Sequence, residues 1–184
     1  MKVFGFLPEH GFQLVRPTPP DDFESLTARV DAHVGGSPWA PRSLELVRTD
    51  EGRQLQRGDA LWLDPHTPVL RATAALALKS TLSPGDLLLP MKCGEEQVYL
   101  LRPGSTIDAL DEAASTLWRF SDGRIMDIRK HAFREEAIGH LADFYLPGLR
   151  FSECYVTDRF VHAWEKAGLR GLRFKVLWEN LSEE

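Results

Sequence analysis

A four-residue turn in the second half of the chain, Ser121-Asp122-Gly123-Arg124, constrains the fold more than any other segment. It separates two stretches, 116–120 and 125–129, in which apolar and polar residues alternate. Asp-Gly between alternating stretches predicts a β-hairpin, because glycine readily adopts the positive φ of a tight turn. Since the chain shows no regular strand–helix–strand repeat, we expect mainly antiparallel strand pairing.

A few helices are predicted among many strands. Helical spacing and end signals mark a segment from Asp21 or Asp22 to Gly35-Gly36, residues 68–82, and a segment from Thr157 or Asp158 to Gly168. A short helix is also expected within 131–136. Apolar patterns predict strands at 60–63, 87–91, 97–102, 145–146, 154–156 and 172–178. The expected fold class is α+β, with a mostly antiparallel sheet and a few packed helices.

The last predicted strand has a pattern that assigns its faces. Leu172, Phe174, Val176 and Trp178 alternate with Arg173, Lys175 and Leu177. We therefore expect the first set to share one buried face. The stripe of the predicted 68–82 helix is Val69, Leu70, Ala72, Ala75, Leu76 and Leu82.

The length of 184 residues suits one domain with a small N-terminal annex. We expect residues 1–57 to form a strand and helix region packed on an α+β domain of residues 58–184. Two cysteines are too few for a disulfide framework, which favours reduced thiols. No apolar run approaches the ~18 residues of a membrane span, and the apolar run at the N-terminus is too short for the hydrophobic region of a signal peptide. These features predict a cytoplasmic protein that does not associate with membranes.

The charge balance is mildly acidic, with 27 Asp and Glu against 22 Lys and Arg, or −5 in total. A nucleic-acid-binding protein would normally carry a basic face, because contacts to phosphate dominate such binding. We therefore expect no nucleic-acid partner. A basic protein partner is compatible with this charge, and self-association into a homo-oligomer is left open.

No motif in the chain predicts catalysis or a cofactor. Cys154 with His131, His140 or His162 is a candidate nucleophile–base pair, but such a pair requires hydrogen-bond contact, and Cys154 has the pattern of a buried strand residue. The histidines and cysteines lack the short spacing of metal ligands, so no metal site is expected. The glycines lack phosphate-loop spacing, so no cofactor is expected either.

Five tryptophans are the most informative aromatic residues. Trp118, Trp164 and Trp178 occupy positions that predict burial in the core. Trp39 lies in a loop rich in proline and glycine, where exposure would make it a candidate binding hot spot. Packing of Trp39 in the core or within the loop is the favoured interpretation.

An ordered set of short segments resembles the immunity protein family of bacterial polymorphic toxin systems. The resemblance runs from Gly58 to Trp178, about two thirds of the chain, and is strongest after residue 97. Its main segments are Gly58-Asp59, Leu89-Pro90, Tyr99-Leu100-Leu101, Ile107-Asp108-Ala109-Leu110-Asp111, Phe120-Ser121-Asp122-Gly123-Arg124-Ile125, Lys130-His131-Ala132-Phe133, Tyr155-Val156-Thr157-Asp158-Arg159-Phe160 and Ala167-Gly168-Leu169-Arg170-Gly171-Leu172. These residues are turn glycines, core positions and helix caps, so none is implied to be catalytic.

The resemblance implies a protein that binds and neutralises a cognate secreted toxin, with a basic nuclease as the expected toxin class. Such a protein protects the producing cell and its kin and is not an enzyme. An acidic inhibitor suits a nuclease, whose substrate groove must be basic. The predicted contact residues are acidic and lie near the hairpin: Asp108, Asp111, Glu112, Asp122, Glu135 and Glu136. The alternatives are a small enzyme that uses Cys154 or a histidine, and a self-associating scaffold protein.

Overall fold

The computed structural model describes residues 1–19, 22–64, 67–149 and 153–180. Its helices are α1 (Phe23–Val34), α2 (Ala72–Leu78), α3 (Glu135–Ile138) and α4 (Asp158–Lys166). Its strands are β1 (Lys2–Pro8), β2 (Leu14–Pro17), β3 (Ser43–Val47), β4 (Thr49–Asp50), β5 (Arg53–Gln54), β6 (Ala60–Leu61), β7 (Val69–Arg71), β8 (Leu87–Cys93), β9 (Glu96–Arg102), β10 (Thr116–Arg119), β11 (Ile125–Lys130), β12 (Asp143–Phe144), β13 (Tyr155–Thr157) and β14 (Leu172–Glu179).

The strands form two larger sheets and two separate hairpins. One sheet has the order β2-β3-β8-β9-β7-β6, and the other has the order β12-β13-β1-β14. The hairpins are β4-β5 and β10-β11. Pairing between the named strands is antiparallel except between β3 and β8. The predicted α+β class with mostly antiparallel sheets is confirmed.

Segments from both ends of the chain meet in the four-stranded sheet. β1 lies between β13 and β14, and its pairing with β14 runs from Lys2↔Glu179 to Pro8↔Leu172. β2 and β3 belong to the six-stranded sheet. Residues 1–57 thus supply strands to both sheets, and the proposed boundary at residue 57 stays a prediction.

Three groups of buried side chains form the core. The first lies around α2 and α4 and includes Leu78 and Trp164, and the second places α1 against the six-stranded sheet. The third joins β1 and β13 to the β10–β11 hairpin and includes Phe144 and Tyr155. Each fully buried large apolar side chain contributes ~1.5–3 kcal/mol to folding. In the described ranges, no helix is long and apolar enough to cross a membrane.

The ends of α1 follow the sequence signals. Asp22 is the N-cap: its Oδ1 accepts a hydrogen bond from Ser25 N at 2.8 Å, and Ser25 Oγ accepts one from Asp22 N at 2.8 Å. This reciprocal arrangement is a capping box. Gly35 ends the helix as predicted, whereas the alternative cap Asp21 lies outside the described residues.

The prediction of a helix over 68–82 is wrong for the first turn and for which side chains of the helix are buried. Val69–Arg71 is β7, which pairs with β9 through Val69↔Leu100 and Leu70↔Tyr99. Burial of these two side chains inside a sheet overrides the helical spacing. The helix begins at Ala72 and ends at Leu78 rather than at Leu82, and Leu76 points to solvent rather than to the core.

The predicted buried face of the last strand holds for only part of its length. Val3 pairs with Trp178 and Phe4 pairs with Val176, so the partner register skips Leu177. This bulge changes the side on which successive side chains lie. Val176 is consequently exposed, while Leu177 and Trp178 pack against the third core group.

Candidate functional site

The predicted hairpin is present as β10 and β11. Gly123 has φ +86°, and Asp122 Oδ1 accepts a hydrogen bond from Arg124 N at 3.0 Å. One side of the hairpin packs on the third core group through Leu117, Ile125 and Ile128. The hairpin is therefore anchored to the fold although it joins neither larger sheet.

The other side of the hairpin exposes large apolar side chains. Trp118 is 49% exposed, Phe120 has the same exposure, and Met126 is exposed on β11. The prediction that Trp118 lies in the core is wrong. Alternation separates the two faces of a strand but does not determine which face is buried. In the structure, Leu117 lies on the inward face and Trp118 on the outward face.

Two arginines lie over these aromatic rings. The Arg129 guanidinium carbon is 3.9 Å from the centre of the Trp118 ring, and that of Arg124 is 5.6 Å from the Phe120 ring. Arg129 Nε also contacts Asp127 Oδ2 at 2.8 Å. We call Trp118, Phe120, Met126 and Arg129 the hairpin surface. Trp, Phe, Met and Arg are the residue types enriched in protein–protein interfaces.

The predicted acidic residues flank this hairpin, but arginines partner several of them. Asp108 contacts Arg134 at 3.0 Å, Asp122 contacts Arg124 at 2.7 Å, and Glu112 pairs with Arg119. Hydrogen bonds from Arg124 hold the pKa of Asp122 below its usual value. Solvent screens exposed pairs of this kind, so they add little to stability, and their main effect is to reduce the bare negative charge.

The remaining acidic residues are divided between a turn and α3. Asp111 Oδ1 accepts hydrogen bonds from Ala113 N and Ala114 N, each at 3.1 Å. Glu135 accepts one from Asn180 Nδ2, and Glu136 is exposed. A bridge between Leu110 and Phe133 holds the two segments together. The structure thus places five of the predicted acidic residues on two segments near one end of the hairpin, whereas Asp122 lies at the hairpin turn.

The candidate nucleophile Cys154 is fully buried, as the strand pattern predicted. Burial raises the pKa of its thiol, and the Asp143 and Asp86 carboxylates raise it further. No hydrogen bond connects Cys154 to a histidine in the described part of the chain. His140 and His162 are exposed, and the described residues contain no group of three His, Cys, Asp or Glu with the geometry of a metal site.

His131 belongs to an aromatic cluster in the third core group. Its ring stacks on Phe133 at 5.7 Å, and its Nε2 lies 3.3 Å from the Tyr155 hydroxyl. Burial, aided by the positive charge of Lys175, lowers its pKa to about 4. His131 is therefore neutral near pH 7.

Sequence reasoning missed a buried pair of carboxyl groups. Asp143 on β12 is 0% exposed, and neither of its oxygens meets an N–H or O–H donor among the described residues. Its carboxyl group faces that of Asp86, which accepts hydrogen bonds from Ser83 N at 2.5 Å and Gly104 N at 2.8 Å. Burial and Asp86 raise the pKa of Asp143 to about 8. An aspartate inside the apolar run 141–146 was the available sequence signal.

Two further features concern loops near α1. Trp39 is partly buried against the second core group, in line with the favoured packed interpretation, and its Nε1 donates to the Pro90 carbonyl of β8 at 2.9 Å. A cleft of about 250 Å³ lies between α1 and the segment after β12. No local sequence pattern predicts this cleft, because its walls come from five separate segments.

A scan against models of protein families found no match to this chain, and a search of curated proteins found no relative. The likeness of residues 58–178 to immunity proteins therefore stays a prediction. The strongest candidate for function in the described ranges is the hairpin surface, since it combines exposed aromatic residues with a firm anchor in the core.

Proposed function

We propose that this protein is an immunity protein that binds a cognate protein toxin in the cytoplasm and blocks it without catalysing a reaction. The expected toxin is a basic nuclease. The observation that carries this proposal is the exposed Trp118 with Arg129 stacked on its ring. The hairpin surface also lies in the part of the chain where the resemblance to immunity proteins is strongest.

The composition of the hairpin surface favours a protein partner over a small molecule. A large aromatic side chain loses much water-exposed area when a partner covers it, and tryptophan and arginine dominate binding hot spots. The described packing of Leu117 and Ile128 fixes the strand that carries Trp118. A fixed anchor loses little conformational entropy on binding, which favours affinity.

The net charge around the hairpin is slightly negative, which suits a basic partner. Residues 108–136 contain seven acidic and five basic side chains, which gives −2. Because arginines pair with several of these acids, we assign the larger share of the binding energy to the hairpin surface. The acidic residues would contribute to the rate of encounter and to partner choice.

Co-expression with the product of an adjacent toxin gene tests the proposal directly. We expect a complex that co-purifies and that rescues growth of the host. Trp118→Ala should weaken this complex by about 2 kcal/mol, or roughly 30-fold in Kd, as for a hot-spot tryptophan. Phe23→Ala is the matched control, because Phe23 is a 47% exposed aromatic on α1, away from the hairpin.

The outcomes separate the competing functions. Failure to form a complex or to rescue growth would count against the immunity function, and equal loss in Phe23→Ala would remove the hairpin surface as the site. Alanine variants of Cys154, His131, His140 and His162 should retain protection. If a folded variant among these lost protection but kept toxin binding, a catalytic role would replace the proposed one. Self-association without toxin binding would favour the scaffold alternative.

A further inference from the structure

The cleft beside α1 has walls of mixed polarity, in which apolar side chains alternate with threonines and with the charged residues Asp31, Asp64 and Arg102. Its volume is about 250 Å³, below the ~300–1,000 Å³ typical of sites for drug-sized ligands. A ligand of amino-acid size therefore fits better than a nucleotide or a folded segment. Its lining includes Leu26, Val30, Leu100, Arg102, Thr106 and Tyr145.

Arg102 is not among the arginines that pair with a carboxylate in the described ranges, which are half of the sixteen in the chain. Eight arginines contact a carboxylate within the described ranges: Arg16, Arg57, Arg71, Arg119, Arg124, Arg129, Arg134 and Arg170. Arg102 is partly buried and has no such contact with the described residues. The Asp64 carboxylate lines the same cleft and supplies negative charge there, but it forms no ion pair with Arg102, so a ligand carboxylate that reaches Arg102 would add a charge-assisted contact.

The guanidinium of Arg102 is held in a fixed orientation. Its Nη1 donates to the Pro103 carbonyl, and its carbon lies 4.3 Å from the centre of the Tyr145 ring. These contacts leave Nε and Nη2 without a hydrogen-bond acceptor in the described part of the chain. Two adjacent N–H donors on one planar group match the two oxygens of a carboxylate.

We propose that this cleft is a binding site for a small carboxylate on an apolar stem. The carboxylate accepts hydrogen bonds from Arg102, and the stem packs between Leu26 and Leu100. Asp31 at the exposed end of the cleft suits a ligand that also carries an ammonium group, such as an apolar amino acid. The site is independent of the hairpin surface and of the function proposed for it.

Titration of the ¹⁵N-labelled protein with three matched probes tests the site. The probes are leucine, N-acetyl-leucine and leucinamide, which share the leucine side chain and differ at the amino and carboxyl groups. We expect saturable shifts of amide resonances from 26–31, 100–106 and 145–149 with both carboxylates. We expect leucinamide to bind at least roughly tenfold more weakly, since it cannot form the charge-assisted pair.

Variants identify the residue responsible. Arg102→Gln should reduce the affinity for the carboxylates to that for leucinamide, while Arg53→Gln, an exposed arginine on β5, should leave it unchanged. Thr27→Phe should block the cleft from α1 with Arg102 intact. If Arg102→Gln does not fold, Thr27→Phe still tests whether the ligand binds in the cleft.

The comparison of leucine with N-acetyl-leucine identifies the source of the ligand. Tighter binding of leucine indicates a free amino acid, and tighter binding of N-acetyl-leucine indicates the acylated end of a peptide chain. Equal affinity for leucinamide, unchanged binding in Arg102→Gln, or shifts outside the cleft would each overturn the proposal.

Discussion

Replacement of Asp143 by asparagine should remove most of the dependence of stability on pH between about 6.5 and 8. Asp143 is fully buried, and its carboxyl group faces that of Asp86. Because no N–H or O–H donor of the described residues reaches the Asp143 oxygens, this carboxyl group must keep a proton to face the Asp86 carboxylate. Asparagine keeps the shape of the side chain and supplies N–H donors that do not titrate.

The magnitude follows from the raised pKa of Asp143. The folded group has a pKa of about 8 against an ordinary value of 3.8, so the folded state keeps a proton that the unfolded state has lost. The contribution of protonated Asp143 to stability is therefore fully present below the unfolded pKa and is lost as pH rises toward the folded pKa. The slope is ~1.4 kcal/mol per pH unit. Because titration is half complete near 8, we expect a loss of ~1.5 kcal/mol across the window.

Other titrating groups contribute little in this window. His131 is neutral in the folded state, and the two cysteines have pKa values raised above 9.0. Urea unfolding at several pH values would give the free energy of unfolding of the wild type, Asp143→Asn and the control Asp108→Asn. Asp108 has a side chain that is 80% exposed, so its variant should keep the wild-type slope. A flat wild-type profile, or an equal slope in Asp143→Asn, would refute the proton retained on Asp143.

Two further perturbations test the packing. Because the pKa of His131 is lowered in the folded state, the unfolded state binds a proton at higher pH than the folded state does. The free energy of unfolding should therefore fall as pH drops from about 6.5 toward 4. Thermal melts of His131→Phe should show a smaller fall. Gly171→Ala should destabilise the protein by about 3 kcal/mol in urea unfolding, since Gly171 has φ +111° and an added Cβ would lie 2.4 Å from the Ala60 carbonyl oxygen. An effect below about 1 kcal/mol would show that this close approach relaxes easily.

Local signals predicted the elements whose causes are local. Asp-Gly at 122–123 predicted the hairpin, and the Asp22 cap with Gly35 predicted the limits of α1. At Val69–Arg71 the helical spacing failed, because pairing with β9 decides the conformation. That pairing partner lies about thirty residues away and leaves no trace in a local pattern.

The candidate sites depend on contacts between distant segments. Alternation identified two faces around Trp118, but the position of the third core group determines which one is exposed. Asp143 on β12 and Asp86 before β8 are far apart in sequence, as are Arg102 at the end of β9 and Tyr145 after β12. Their residue types and spacing carry no signal of this proximity, so the carboxyl pair and the cleft required the structure.

The paired acidic residues lead to a last prediction, about salt. If the six acidic residues carried the toxin affinity, raising salt from about 0.1 to 0.5 M would weaken binding strongly, since exposed charges are screened beyond a few ångströms. Arg119, Arg124 and Arg134 already neutralise part of this set within the protein. Burial of Trp118 depends far less on ionic strength. We therefore expect a change in Kd below about fivefold, mostly in the association rate. If high salt weakened toxin binding by more than this, and charge reversal at Glu135 and Glu136 abolished the salt dependence, the binding energy would belong to the acidic residues instead.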